Sequence, residues 1–561
     1  MEGSIESKGG PFVDRRNLFG YQQYGVRWML MREFDRESPG GMLCDDVGLG
    51  KSVQMLTLMK LHPLRLNLLV APKATIEQWL GYIEKWLPEA YAVKGGGKDT
   101  EKRLAEVRYM ADKGTTAILV CTYGALIQGN AYDLFGVCWD RIVLDECHYI
   151  KNPLAQTTKA ANNLVGRIRW GCSATPLQNG LSDFVSLVSW LKLKDKKPRG
   201  QMDMNWAHEI KARYVLSRKK EDVRHTPALK LHLKDPIIFT NESLLSQEEA
   251  TAYRILHAYI NREAWRVKNN SRGSNKGGVV IQIRSLLMRL MQFVASPAIC
   301  IGYNEEMLKL AERHPEVEAV RGMRVGTKIN NLCDMMCASG RESRSVVFCQ
   351  FIAEIETVTA ALKQRGMNVE TYVGSTLNRD RESILRNAWL RWDMFCFYLR
   401  EFDLPTEILL HIWSYTVSQV LVIQIRAGGV GINLTGFDRI YITTQCWNPC
   451  VEHQAIGRAN RIGQTNEVKV IRMTVRLPDQ EEEEEGGKEK EDVLRPQKKR
   501  RLHSSLEEDR IADADHDTID QRILTVQNGK RKLIKELGTV SPKGGTRKIS
   551  LTLEEMLQLL S

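Results

Sequence analysis

Residues 45–52 read Asp45, Asp46, Val47, Gly48, Leu49, Gly50, Lys51 and Ser52. A glycine-flanked turn ending in Lys-Ser suits phosphate, because backbone N–H groups and the positive end of a following helix converge on the anion. Lys51 would reach the β- and γ-phosphates as a point charge, and the Ser52 hydroxyl would take one position on Mg²⁺. The short apolar run 41–44 before the turn and the apolar run 53–59 after it supply the strand and buried helix this geometry needs. The stretch is therefore expected to bind ATP, although a full Walker loop has glycine where this chain has Asp45.

Two further groups could complete the chemistry. Asp145 and Glu146 follow the apolar run 141–144. At the end of a buried strand such a pair can meet the metal held by the phosphate loop, with Asp145 on Mg²⁺, usually through water, and Glu146 as general base for the attacking water. Near the C-terminus, Arg458 and Arg461 are spaced to share one face of a helix and to project together into a cleft.

The elements that must hold these residues have an α/β rhythm. The runs 68–70, 117–121, 142–144 and 170–172 are short and apolar, and each ends in polar residues. They predict a parallel sheet buried on both faces, with function at the carboxyl ends of its strands. Residues 236–325 turn helical, with apolar periodicity over 247–266 and 281–294 and a Gly/Ser/Asn/Lys-rich loop at 269–278. The rhythm then returns at 346–349, 369–373, 420–425, 440–443 and 468–475 as a second α/β lobe. The predicted domains are a leader at 1–15, a first lobe at 16–235, a helical protrusion at 236–325, a second lobe at 326–540 and a C-terminal helix at 541–561.

Two segments interrupt the second lobe. Residues 479–515 are charged and of low complexity, with Lys498, Lys499, Arg500 and Arg501 together, and are expected to be disordered. Residues 392–418 open at Leu404 and Pro405 like an F-box but lack the remainder, and are read as a helix packed on the second lobe or as a docking point for a protein partner.

The chain has 561 residues, too many for one hydrophobic core. Its net charge of +12 favours an anionic partner such as nucleic acid. Twelve cysteines occur without any Cys-x-x-Cys pair, which argues against zinc, and several sit in apolar runs as buried free thiols do in a reducing compartment. No apolar run reads as a membrane span and residues 1–14 lack a signal-peptide core, so an intracellular protein is expected, in a nucleus or a virus-infected cell.

In this order the residues resemble a Swi/Snf-family ATPase, a branch of helicase superfamily two, from about residue 17 to 561. Tyr21, Gln22, Gly25 and Trp28 are similar to the adenine-recognising motif, which carries Gln22 over as an adenine contact. The family form of the phosphate loop has Asp at the position of Asp45; Asp46 and Ser52 stand where Glu and Thr are usual, and Cys147 where Ala or Gly is. Lys73, Trp79, Thr122 and Tyr123 match motifs that touch DNA from the first lobe, and Gln350, Gly428, Gly429, Asn433 and Trp447 match those of the second. His148, Ser173, Thr175 and Gln454 fall in motifs that couple the two sites, and residues 517–530 resemble the family's brace helix.

The resemblance implies two RecA-like parallel-sheet lobes with helical protrusions between them, ATP and Mg²⁺ in the cleft, and double-stranded DNA bound through its phosphates without sequence preference. Closure would bring Arg458 and Arg461 onto the γ-phosphate, and hydrolysis would release it. Displacement of protein from DNA in remodelling, transcription or repair is the expected task, with nucleosomes or a polymerase as partners. A strand-separating DNA or RNA helicase and a catalytically silent nucleic-acid scaffold remain the alternatives.

Overall fold

The computed structural model describes residues 18–128, 132–174, 181–193, 204–223, 234–270, 276–302, 304–339, 344–374, 376, 420–428, 432–478, 517–538, 556, 557 and 559. The insert 392–418, the charged stretch 479–515 with its four basic residues, Thr175, Gly429 and nearly all of 541–561 lie outside them.

The first lobe is built on β1 (Gly40–Leu43), β2 (Leu66–Ala71), β3 (Tyr91–Lys94), β4 (Ala117–Thr122), β5 (Cys138–Asp145), β6 (Val165–Cys172) and β7 (Val215–Leu216). They form one sheet in the order β3-β4-β2-β5-β6-β1-β7, and every neighbouring pair is parallel. Alternate residues of a strand face opposite sides, and here both sides are covered. Met42, Leu68, Val70, Ile142 and Leu144 enter one core, while Leu43, Leu69, Ala71, Val143 and Cys172 enter the other. That two-sided burial explains why the strands read as continuous apolar runs.

The second lobe has β8 (Ile237–Leu244), β9 (Ser345–Cys349), β10 (Val369–Tyr372), β11 (Val420–Gln424), β12 (Arg439–Ile442) and β13 (Lys469–Arg476), ordered β10-β11-β9-β12-β13-β8 and again parallel throughout. The fold is α/β with two parallel-sheet lobes. One boundary differs from the sequence reading, which assigned residues from 236 onward to the helical protrusion. Ile237–Leu244 is instead the edge strand of the second sheet, paired along its whole length with β13. Its apolar residues, Ile237 to Phe239 and Leu244, are half-buried or exposed, so no buried run marked it.

Between β8 and β9 the helices Gln247–Asn270 and Lys276–Ala295 pack together through Tyr253, Leu256, Ile260, Ile283, Leu287 and Leu290. Contrary to the sequence reading, one stretch here, Gly278–Ala295, is long and apolar enough to cross a membrane by length and composition. Its buried side chains belong to this helical core. The helix Ile519–Gly538 joins the same core through Ile519 and Ile523. Asp520 on it meets Lys328 at 2.5 Å, with both side chains buried, and Gln527 donates to the Cys446 carbonyl and to Glu452, each at 2.5 Å.

Candidate functional site

The carboxyl ends of β1, β6 and β5 lie side by side in the first sheet, which brings residues far apart in sequence to one edge. After β1 the chain turns through Gly48 and Gly50, whose φ angles of 90° and 78° lie in the left-handed region that glycine adopts without strain. Gly50 caps the helix Lys51–Leu61, so the loop ends at a helix N-terminus. After β5 come Asp145 and Glu146, and Glu146 has φ 49°, a strained value for a side chain other than glycine.

A cleft is lined by Val47, Gly48, Gly50, Lys51, Ser52, Val53, Thr75, Gln78, Trp79, Tyr82, Asp145, Glu146, Arg458 and Arg461. It unites the phosphate loop, the acidic pair and both arginines. Arg458 Nη2 lies 3.7 Å from Glu146 Oε1. Arg458 lies in the last turn of the helix Pro449–Ala459, but Arg461 follows its cap residue Asn460 and is not helical. The two arginines therefore meet the cleft from a helix end and the turn beyond it, rather than from one helical face. The lobes touch directly, because a Cβ at Gly48 would stand 2.7 Å from that of Arg461 and one at Gly457 would stand 2.7 Å from that of Val47.

The acidic pair is electrostatically split. Burial, followed by the neighbouring Glu146 charge, pushes Asp145 up to about 6. Burial also opposes the Glu146 charge, but His148, Lys51 and Arg458 outweigh it and bring that carboxyl down to about 2. His148 Nδ1 lies 3.2 Å from Glu146 Oε2 and 3.0 Å from Ser173 Oγ, so these three form a cluster across the ends of β5 and β6. Glu146 is held ionised, as a general base must be. Ser52 and Asp145 offer a hydroxyl and a carboxylate in one cleft, oxygen donors that fit a hard cation such as Mg²⁺.

Other expected site residues are placed as follows. Lys51 Nζ donates to the Asp45 and Asp46 carbonyls at 2.7 and 3.3 Å. Gln22 is buried, donates to the Leu49 carbonyl at 3.1 Å and packs against Gly50, so it buttresses the loop from behind. Leu49 is fully buried. Lys73, in the turn Lys73–Thr75, and Asn433 are exposed, and Thr122 Oγ accepts from the Ala125 N–H at 3.1 Å. Gln350 follows β9, Gly428 ends the turn Ile425–Gly428, and Trp447 is half-buried against the helical core. Gln454 is buried on the helix that carries Arg458.

Three assignments change. Trp79, expected on the DNA surface, is 2% exposed, and its indole N–H donates to Asp145 Oδ2 at 2.8 Å inside the cleft. Tyr123 is likewise buried, its hydroxyl donating to the Asp145 carbonyl at 2.7 Å and its ring stacked on Tyr149. Asp45, grouped with the phosphate contacts, turns away from the cleft and is fully buried. Its carboxylate accepts from Arg218 Nε at 2.9 Å and Nη2 at 2.5 Å, and from Gln54 at 3.0 Å.

Arg218, Lys220 and His453 are not among the residues the sequence reading assigned to the site. The signal lay in Asp45 itself, because a carboxylate inside a buried loop requires a cationic partner. Lys220 Nζ donates to the Asn460 carbonyl at 2.5 Å and His453 Nε2 lies 3.1 Å from Asp46, so both contacts cross between lobes.

Two facing parallel-sheet lobes with a phosphate loop, an acidic pair and two arginines at their junction define a two-lobed ATPase. Residues 21–298 match the SNF2-related domain and residues 409–463 the helicase conserved C-terminal domain, and the chain belongs to the SNF2-related ATPase family. It is similar to the probable global transactivator of Orgyia pseudotsugata multicapsid polyhedrosis virus, 25% identical over 484 residues, covering 83% of this chain and 88% of that protein. It also resembles the ATP-dependent helicase brm of Drosophila melanogaster, 24% identical over 486 residues, but these are 81% of this chain and only 27% of the fly protein. The solved SWI2/SNF2 ATPase core of Sulfolobus solfataricus in complex with dsDNA aligns with 82% of this chain and 88% of that chain at 22% identity, with a TM-score of 0.36.

Proposed function

We propose that this ATPase is driven by double-stranded DNA and uses opening and closing of its cleft to move along the duplex and displace bound protein. The observation that carries the reading is the division of one site between two lobes, with Arg458 of the second 3.7 Å from Glu146 of the first. A site built this way turns over only while the lobes are aligned, so a polymer that grips both lobes controls the rate. Each cycle then closes and frees the lobes in turn.

In this reading Lys51 and the backbone of 46–50 hold the β- and γ-phosphates. Glu146, aimed by its unusual backbone and kept ionised by His148, takes the proton of the attacking water. Arg458 and Arg461 stabilise charge on the transferred phosphoryl group. Ser52 and Asp145 would hold Mg²⁺, which neutralises phosphate charge as the bond to the leaving group breaks. Gln22, which holds the loop through the Leu49 carbonyl, is assigned to the adenine by the resemblance of its motif. Exposed Lys73 and Asn433, with Thr122, Gln350, Gly428, Gly429 and Trp447, bind the duplex through phosphate. Ser173, Thr175 and Gln454 link that contact to the cleft.

Relatives named as a viral global transactivator and a chromatin-remodeling complex ATPase support work on protein–DNA complexes, which we place in a nucleus or an infected cell with nucleosomes or a polymerase as the obstacle. ATP turnover measured alone and with duplex DNA, single-stranded DNA, RNA and nucleosomes tests the reading. Duplex should stimulate most, its binding falling with salt at a slope of about −0.9 per phosphate neutralised. ATP should also release a third strand from a triplex while a forked duplex stays paired. Equal turnover with and without DNA would overturn the coupling, and robust fork unwinding would make the chain a strand-separating helicase.

A further inference from the structure

Beyond β7 the chain runs along the stem of the phosphate loop. The Cys44 N–H donates to the Leu216 carbonyl at 2.6 Å and the Asp46 N–H to the Arg218 carbonyl at 2.9 Å, so residues 216–218 extend the sheet edge past the last paired strand residue. The Arg218 guanidinium locks this segment in place: beyond its two bonds to Asp45 it donates to Gln54 at 2.9 Å and to the Tyr21 carbonyl, and it lies 5.1 Å over the Tyr21 ring. Space for it depends on Gly25, where a Cβ would stand 2.7 Å from Arg218 Nη2 and 2.1 Å from the Gln54 oxygen. The segment is thus a rigid part of the first lobe.

Lys220 leaves this fixed base toward the other lobe. Its backbone N–H donates to Asp46 Oδ2 at 3.4 Å and its ammonium to the Asn460 carbonyl at 2.5 Å. Asn460 caps the helix that carries Arg458 and immediately precedes Arg461. Carbonyls at a helix C-terminus carry partial negative charge, which suits a cation. Lys220 is not among the described residues that line the cleft, and its ammonium meets the backbone of the arginine segment.

We propose that Lys220 is a positioning residue for ATP hydrolysis, a tie from the phosphate loop to the arginine segment that sets Arg461 and Arg458 at the γ-phosphate when the lobes close. The inference rests on the proposed action of these arginines on that phosphate. The tie exists only across the closed cleft, so it contributes to the step that needs closure and not to ATP capture by the first lobe. Burial lowers the Lys220 amine to about 8; Asp46 and Asp235 favour its charge, while Arg461 and Lys51 oppose it. His453, on the arginine helix, faces the same Asp46 carboxylate.

The test uses the full chain with saturating duplex DNA. Lys220→Met should lower kcat by about 10²-fold, the scale of a small misplacement of catalytic groups, with the KM for ATP nearly unchanged. Lys220→Arg should restore most of the loss. In an Arg461→Ala background Lys220→Met should add no further loss, because residues that act as a unit are not additive. A full additional loss in that background, an unchanged kcat, or a change in KM alone would overturn the proposal. Full turnover by Arg461→Ala itself would instead remove the parent reading, and this one with it. If Lys220→Met fails to fold, Lys220→Arg still decides: native kcat should fall as pH rises through about 8, and the arginine variant should hold its rate to higher pH. Identical pH profiles would reject the tie.

Discussion

The Arg458 guanidinium of the second lobe and the Glu146 carboxylate of the first stand 3.7 Å apart, both almost withdrawn from water. Burial lowers the Arg458 affinity for its proton while Glu146 restores part of it, and the Glu146 charge is favoured first by His148, then by Lys51 and Arg458. Glu146→Gln should bind ATP without turning it over. Arg458→Lys keeps the charge but loses the planar fork, so ATP binding should persist while kcat falls about 10³-fold, as for arginine fingers. Nucleotide binding and single-turnover hydrolysis on each variant separate the two effects, and loss of binding with turnover preserved would contradict both roles.

The contact of Gly457 with Val47 makes a sharper test of closure. A methyl group at 457 would meet the Val47 Cβ and Cγ1 at 2.7 Å, and neither is the end of a flexible side chain. Gly457→Ala should therefore wedge the lobes apart while leaving each lobe folded. DNA-stimulated turnover should drop strongly with an unchanged melting temperature. A parallel fall in melting temperature would instead locate the damage within the second lobe.

Trp79 offers a third. Its indole N–H is a charge-assisted donor to Asp145 and opposes the upward push that burial gives that carboxyl. Such bonds contribute about 1.5–3 kcal/mol. Trp79→Phe should leave Asp145 readier to take a proton, so that half-maximal activity needs about tenfold more Mg²⁺ and activity is lost sooner as pH falls. An Mg²⁺ titration of turnover at two pH values reads this directly, and unaltered Mg²⁺ dependence would contradict it.

A pH effect is also expected far from the cleft. His257 is lowered from 6.5 to about 4, chiefly by burial and then by Arg522, whose Nη1 lies 3.3 Å away. The folded chain binds this proton more weakly than the unfolded chain. The neutral ring therefore costs nothing above pH 6.5, and stability is lost progressively as pH falls from about 6.5 to about 4. The melting temperature of His257→Gln should decline less steeply over that window than that of the native chain.

Much of this was legible in the residues. The phosphate loop and the Asp145–Glu146 pair are each contiguous in sequence, and each follows a buried run, residues 40–43 and 141–144, so they can be read locally. What was missed depends on partners distant in sequence. The pairing of Asp45 with Arg218 spans 173 positions, and that of Lys220 with Asn460 spans 240; no periodicity encodes either. Trp79 was misplaced because a motif that borders DNA also borders the cleft, and only the fold decides which way the ring turns. The strand Ile237–Leu244 was overlooked because edge strands are half-wet and lack the unbroken apolar run that betrays interior ones.

That edge strand has a consequence for biosynthesis. The strands of the first lobe, β1 to β7, all lie before residue 217, so that sheet can be completed as soon as this length of chain has emerged. The second sheet cannot. Its strand β8 leaves the ribosome first and must wait for β13, whose first residue, Lys469, lies 232 positions after its partner Ile237. At about 5–20 residues per second this leaves a bare strand edge for on the order of ten seconds or more. The helices Gln247–Asn270 and Lys276–Ala295 emerge next, and their early packing is the nearest shelter for the waiting edge. Newly made chains truncated between residues 300 and 469 should be the ones that aggregate or call on chaperones, while those ending near residue 223 should stay soluble.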